Sequence, residues 1–184
     1  MPKLELSPSE SLYPVPVVLV SCQDRDAANI ITIAWCGVVC SNPPLLSISI
    51  RPSRYSNKII RNSGNFVINI PTQNFLQEAD ICGTVSGADK DKFNLCRFTK
   101  ADSSIVKSPM IKECPTNIEC KVNKILSLGT HDMFIGEVVK VHRDRSVLDK
   151  EGNMDYSKAA PIVYNQGEYW SLGKRIGRYG FSAK

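Results

Sequence analysis

Residues Asn29 to Ile70 read NIITIAWCGVVCSNPPLLSISIRPSRYSNKIIRNSGNFVINI. This stretch predicts a strand, a Pro-Pro turn, a sharply alternating second strand, a polar turn with two arginines, a short helix and a third strand. Leu46, Ile48 and Ile50 fall on one side of the middle strand, and Leu45, Ser47, Ser49 and Arg51 on the other. Such period-two alternation is the signature of a half-buried strand. Ser53 is expected to cap a helix over Arg54 to Arg61, with Tyr55 and Ile59 sharing one face and Gly64 at the left-handed C-terminal position. The helix then opens among Arg51, Ser53, Arg54 and Ser56. Free backbone N–H groups, the positive end of the helix dipole, two guanidinium groups and two hydroxyls are what a phosphate monoester requires. The same residues would also make a solvated turn carrying ordinary surface arginines.

Working outward, 184 residues suffice for one substantial core and for one domain, at most two; a single domain over 1–184 is expected. Apolar residues make up 42% and charged residues 22%, which suits an ordinary globular chain and excludes little else. The net charge of +5 includes four basic residues in the final stretch KRIGRYGFSAK, so the body is nearly neutral. That balance is too weak for a nucleic-acid claim but suits an anionic small ligand or an acidic partner. Seven cysteines, Cys22, Cys36, Cys40, Cys82, Cys96, Cys114 and Cys120, form an odd set without a C-x-x-C pair. Neither a zinc site nor a secreted disulfide framework has such spacing. Buried thiols in a reducing cytoplasm are therefore expected. The only early apolar run, Val15 to Val20, is strand-sized, and no stretch approaches membrane-spanning length.

The rest of the chain predicts more short strands. Val15 to Cys22 and Asn29 to Cys36 form a first hairpin around Gln23 to Ala28, and Gly37 to Pro44 reads as a connection. After Phe66 to Ile70, Thr72 is expected to cap a helix to about Cys82, stopped by Gly83. Thr84 to Lys100 reads as irregular, and its charge-alternating part around Lys92 as a possible surface loop. Two long strands, Thr116 to Leu128 and Met133 to Val141, flank a turn carrying His131; the second is interrupted at Gly136. His142 is assigned to the surface and Arg143 to Asp155 to a charged excursion. Ile162 to Tyr164 and Glu168 to Leu172 complete about eight strands with two inserted helices. Joined by turns too short for parallel crossovers, they favour a closed antiparallel barrel with helical decoration.

No dinucleotide fingerprint, P-loop or nucleophile elbow occurs, and two histidines without a cysteine cluster make a poor metal site. What remains is the anion turn, Lys92, His131 and the aromatics Trp35, Tyr164, Tyr169 and Trp170. A phosphate clamp beside polar and aromatic groups suggests a phosphorylated aromatic ligand held without covalent attachment.

The run N-x-x-T-x-A-W (Asn29 to Trp35), S-N-P-P (Ser41 to Pro44), R-x-S-R-Y-S (Arg51 to Ser56), S-G-x-x-x-D-K-F (Ser86 to Phe93) and G-T-H-D-M-F-I-G-E-V (Gly129 to Val138) resembles the flavin reductase-like family of FMN-binding split barrels. Within it the likeness is to flavoredoxin-type proteins, over about Tyr13 to Leu172. The resemblance implies a mainly β, six-stranded antiparallel Greek-key split barrel with inserted helices, and a homodimer with FMN near the interface. By the same likeness, Arg51, Ser53, Arg54 and Ser56 would hold the phosphate, while Asn29, Thr32, Ala34 and Trp35 would line the flavin. Lys92 would supply a positive charge near the ring's polar edge or the phosphate. His131 would lie by the ring as the catalytic candidate, and Tyr164 would flank the pocket. Ser56 stands where the family usually carries threonine.

The expected function is an FMN-binding oxidoreductase that takes electrons from NAD(P)H or a protein donor and passes them to flavin or a redox partner. Competing readings are a β-barrel nucleic-acid module and a barrel that binds FMN only for storage. Basic residues confined to one turn and the C-terminus, with mostly aliphatic strand faces, argue against the nucleic-acid reading.

Overall fold

The chain is built from strands β1 (Val15–Pro16), β2 (Val18–Asp24), β3 (Ala27–Ile33), β4 (Cys36–Ser41), β5 (Pro44–Ile50), β6 (Asn65–Ile70), β7 (Lys100–Ala101), β8 (Met110–Ile111), β9 (Thr116–Ser127), β10 (Asp132–Arg143), β11 (Ile162–Asn165) and β12 (Glu168–Ser171). Helices α1 (Tyr55–Ser63), α2 (Leu76–Thr84), α3 (Lys92–Leu95) and α4 (Tyr156–Ala159) are set among them. The structure is a computed structural model and describes residues 1–183. Seven strands make one antiparallel sheet in the order β3-β2-β6-β9-β10-β5-β4, while β1, β11 and β12 form a smaller sheet and β7 pairs with β8.

The large sheet curls until its ends approach. Beyond β3 the chain reaches β5 through one bond, in which Ser49 N–H donates to the Trp35 carbonyl at 2.9 Å. No ladder joins β3 to β5. The barrel is thus split along this seam, and the seam is where the candidate site opens.

Alternation places the inner core. Val18, Val20 and Cys22 of β2 meet Ile31 and Ile33 of β3, Ile48 and Ile50 of β5, Phe66 and Ile68 of β6, Cys120 of β9 and Phe134 of β10. Ile59 and Ile60 of α1 belong to the same cluster, so the helix plugs one end of the barrel. A second cluster lies on the outer face of β2 and β3. There Leu19 and Ile30 pack under Ala79 and Cys82 of α2, Phe93 of α3, Cys96, Phe98, Ile111 and Cys114. Strands buried on both faces in this way explain the near-continuous apolar runs of β2 and β3.

Several expected boundaries shift. The first strand divides at Val17 into β1 and β2. Arg25, at φ 52°, and Asp26 make a two-residue hairpin, so the expected longer turn is mostly strand. The expected connection after Cys36 is strand β4, whose register against β5 slips between Val38 and Cys40. Gly136 bends β10 through a bulge and does not end it, because a Cβ there would lie 2.6 Å from Phe66 Cζ. α2 continues through Gly83 to Thr84 and is preceded by a single 3₁₀ turn, Gln73–Phe75. Among the described residues, no helix is long and apolar enough to cross a membrane.

Candidate functional site

Two cavities lie side by side at the seam. The wider, of about 320 Å³, is walled by Ile31 to Ile33 of β3 with Ala34 and Trp35 after it, by Ser49 and Ile50 of β5 with Arg51 after it, and by His131, Tyr164 and Tyr169. The narrower, of about 70 Å³, is walled by Asn29, Ser53, Ser56, Cys82, Gly87 and Lys92 among others. Ile31, Arg54 and Gly83 line both, so one groove runs from an aromatic end to a polar end.

The polar end is made by the start of α1. Its N-cap is Arg54, one residue later than expected; Ser53 precedes it, and no side chain caps the first turn. The turn contains no acidic residue either. By contrast, Asp91 and Asp155 accept from backbone N–H groups at the starts of α3 and α4. The helix start that faces the cavity is therefore the one left without a built-in anion. Gly64 at the other end takes φ 68°, as expected, and donates to the Ile60 carbonyl. Asp132 ties α1 to β10, receiving Arg61 Nη2 at 2.8 Å, Asn57 Nδ2 at 2.9 Å and Ser127 Oγ at 2.8 Å. Those donors, Arg61 foremost, hold its carboxyl down at about 2.

Asn29 and Ser56 are buried and joined, Asn29 Nδ2 donating to Ser56 Oγ at 2.8 Å. Gly87 closes over them so tightly that a Cβ there would sit 2.1 Å from Asn29 Oδ1. Lys92, which the sequence leaves between a cofactor contact and a solvated loop residue, is only 3% exposed. Its Nζ donates to the Ile30 carbonyl at 2.8 Å and the Cys82 carbonyl at 2.7 Å, keeping one donor for the cavity. Burial pulls its pKa below the usual lysine range; the neighbouring Cys82 opposes this and the Arg54 charge adds to it.

At the wide end Trp35 is 41% exposed and lies parallel to His131, ring centroids 6.3 Å apart. Tyr164 stands 6.1 Å from both Trp35 and Tyr169. Thr130 Oγ1 lies within hydrogen-bond distance of His131 Nδ1, 3.0 Å away. Burial and then the Arg51 charge lower the His131 pKa, favouring the uncharged imidazole. Ala34 and Thr32 line the wall, and the Thr32 hydroxyl donates to the Ala79 carbonyl of α2.

All eleven candidate residues therefore border this one groove. Sequence reasoning missed Gly83 and Gly87 as wall residues, and it singled out Tyr169 without giving it a place. Tyr169 donates to Asp80 Oδ1 at 3.0 Å, and burial followed by that carboxylate pushes its pKa up to about 12. Its place on a strand paired with Tyr164 was the available signal. His142 also departs from expectation, since its Nε2 lies 2.7 Å from the buried Glu119 carboxylate on the far side of the barrel.

The site is thus a groove in a split antiparallel barrel, aromatic at one end and polar with an uncapped helix start at the other. The chain belongs to the flavin reductase-like family: the model described as "flavin reductase like domain" matches residues 10–173. The flavoredoxin of Desulfovibrio vulgaris (Miyazaki F) is 34% identical, with a TM-score of 0.92 and 98% of each chain covered. A flavoredoxin from Methanosarcina acetivorans is 30% identical, with a TM-score of 0.93 over 100% of this chain and 98% of that one. The split-barrel domain of a putative flavin reductase from Shewanella frigidimarina shares the fold at 24% identity and a TM-score of 0.82, over 91% and 87% of the chains.

Proposed function

We propose that the chain is an FMN-binding oxidoreductase of the flavoredoxin or flavin reductase type. The observation that carries this reading is the joined groove, whose 320 Å³ aromatic compartment continues at Arg54 into a polar compartment at an uncapped helix start. The residues present suit FMN. Its phosphate would lie among Ser53, Arg54, Ser56 and the first N–H groups of α1, with Arg51 at the rim. Its ring would lie along the Ile31–Trp35 strand, with Trp35 and Tyr164 as walls.

When bound, FMN would supply the two-electron chemistry. The chain's own contribution is placement and electrostatics. Lys92, held by two carbonyls, adds fixed positive charge at the polar end. The His131 ring can present one nitrogen to the wide compartment while Thr130 engages the other, orienting a substrate or holding a proton there. Exposure of Trp35, Val38 and Val39 along the open edge of the sheet gives a second copy of the chain a surface to cover, consistent with a homodimer. NAD(P)H or a protein would then deliver electrons from the uncovered side of the wide compartment, in the cytoplasm.

The test is an anaerobic absorbance titration. The protein reconstituted with FMN should show perturbed flavin bands, and rapid bleaching by NADH or NADPH would identify a reductase. Bleaching only by dithionite or a reduced protein donor would identify a carrier. Failure to bind FMN at all would refute the reading.

A further inference from the structure

We propose that Cys82 and Cys96 are a redox-active dithiol, oxidised to an intramolecular disulfide by a small peroxide. Among the described residues theirs is the one contact between two thiols, Sγ to Sγ 3.7 Å, linking the C-terminal half of α2 to the end of α3. Cys82, fully buried, belongs to the wall of the 70 Å³ compartment beside Gly83 and Lys92, and Cys96 is 6% exposed. The Lys92 ammonium, bonded to the Cys82 carbonyl, is the positive charge available to a Cys82 thiolate. Burial raises both thiols above the ordinary range, so the reaction quickens with pH.

The step balances without an outside reductant. Cys82 thiolate attacks one oxygen of hydrogen peroxide, breaking the O–O bond, forming a sulfenic acid and releasing hydroxide, which takes up the thiol proton as water. Cys96 sulfur then attacks the sulfenic sulfur, and its proton leaves with the hydroxyl as a second water. The two sulfurs lose two electrons and the peroxide gains them. Bond closure draws the sulfurs from 3.7 Å to about 2.05 Å, a movement transmitted to the Cys82 carbonyl and Gly83, which belong to the groove.

The experiment treats the purified protein with hydrogen peroxide, alkylates remaining thiols in denaturant and maps peptides by mass. The expected result is a Cys82–Cys96 linked peptide lighter by two hydrogens, with five of the seven cysteines still alkylated, and a rate rising about tenfold per pH unit below the thiol pKa. In C96S, dimedone should trap the sulfenic acid on Cys82. Persistence of both thiols while Cys36 or Cys40 oxidises in the wild-type protein would overturn the proposal, whatever C96S does. The link does not depend on the flavin reading, but its protection does: FMN seated as proposed should slow oxidation of Cys82. Link formation at an undiminished rate with FMN bound would leave the dithiol standing and count against the phosphate placement.

Discussion

Replacing Gly87 by alanine tests whether the polar end of the groove is a tensioned assembly or a loose turn. The new Cβ would lie 2.1 Å from Asn29 Oδ1 and 2.5 Å from Asn29 Nδ2, far inside the roughly 3.5 Å optimum for nonbonded atoms. An amide at the tip of a free side chain would swing away cheaply. Asn29 cannot, because it is 2% exposed and its Nδ2 is spent on Ser56 Oγ. Either that bond breaks or the loop carrying Gly87 lifts. A broken bond with buried partners left unpaired costs ~1–3 kcal/mol. Taking ~2 kcal/mol, the melting temperature should fall by about 4–8 °C in a chain of this size. If Ser56 must move with Asn29, FMN binding should weaken by about 30-fold, since each 1.4 kcal/mol is tenfold. The assays are thermal unfolding of the apoprotein and quenching of flavin fluorescence on titration. Gly37→Ala, with nothing within 4 Å of its would-be Cβ, is the control. A Gly87→Ala protein that matches this control in both assays would refute the reasoning.

Arg54→Ala with Ser56→Ala should weaken FMN binding by several kcal/mol, since charge-assisted hydrogen bonds contribute ~1.5–3 kcal/mol each; riboflavin, lacking the phosphate, should be affected far less, and equal losses for both ligands would contradict the placement. Lys92→Met should strip two buried carbonyls of their donor and cost ~2–4 kcal/mol in urea unfolding, whereas a solvated loop lysine would cost almost nothing. Asp132→Asn should destabilise the protein at pH 7, where the carboxylate is ionised in both states. Because the folded pKa is pushed from 3.8 to about 2, the carboxylate's contribution is complete above the unfolded value and lost as pH falls through this window. The stability gap between wild type and Asp132→Asn should therefore narrow between these limits, and a gap independent of pH would argue against the assigned network.

The anion turn was legible because its signal is local. Arg51, Ser53, Arg54 and Ser56 lie within six residues, and Gly64 marks the helix end by its own backbone preference. Only the cap was misplaced by one residue, because Ser53 is a good cap by type while the backbone turns at Arg54. The alternating strands β5 and β6 were legible for the same reason, each having one face in the barrel core. Strand β4 was not. Gly37, Val38 and Val39 are exposed at the open edge of the sheet, so no buried face imposes a pattern on them. Lys92 was ambiguous because what decides its fate lies elsewhere in the chain: the carbonyls of Ile30 and Cys82, brought together where α2 packs across β3.

The same limit explains Glu119 and His142. On paper Glu119 alternates with Ile118 and Cys120 as an outward strand residue. In the fold its carboxylate is fully buried, accepting Ser104, Ile105 and Val106 N–H groups and facing His142. Burial alone would raise its pKa, yet His142 and these donors outweigh burial and leave it lowered. The polar outer face of β9 is thus the anchor of a loop 14 residues upstream, which no strand periodicity could report. Glu119→Ala would leave three N–H groups without their acceptor, that of Val106 buried, and should cost ~3–5 kcal/mol. Glu119→Gln keeps the acceptor oxygen but removes the charge, so it should recover part of that loss. If the two variants unfold at the same urea concentration, keeping the amide's acceptor oxygen restores nothing and the negative charge is what the loop requires. If Gln recovers most of the loss, the hydrogen bonds and not the charge hold the loop.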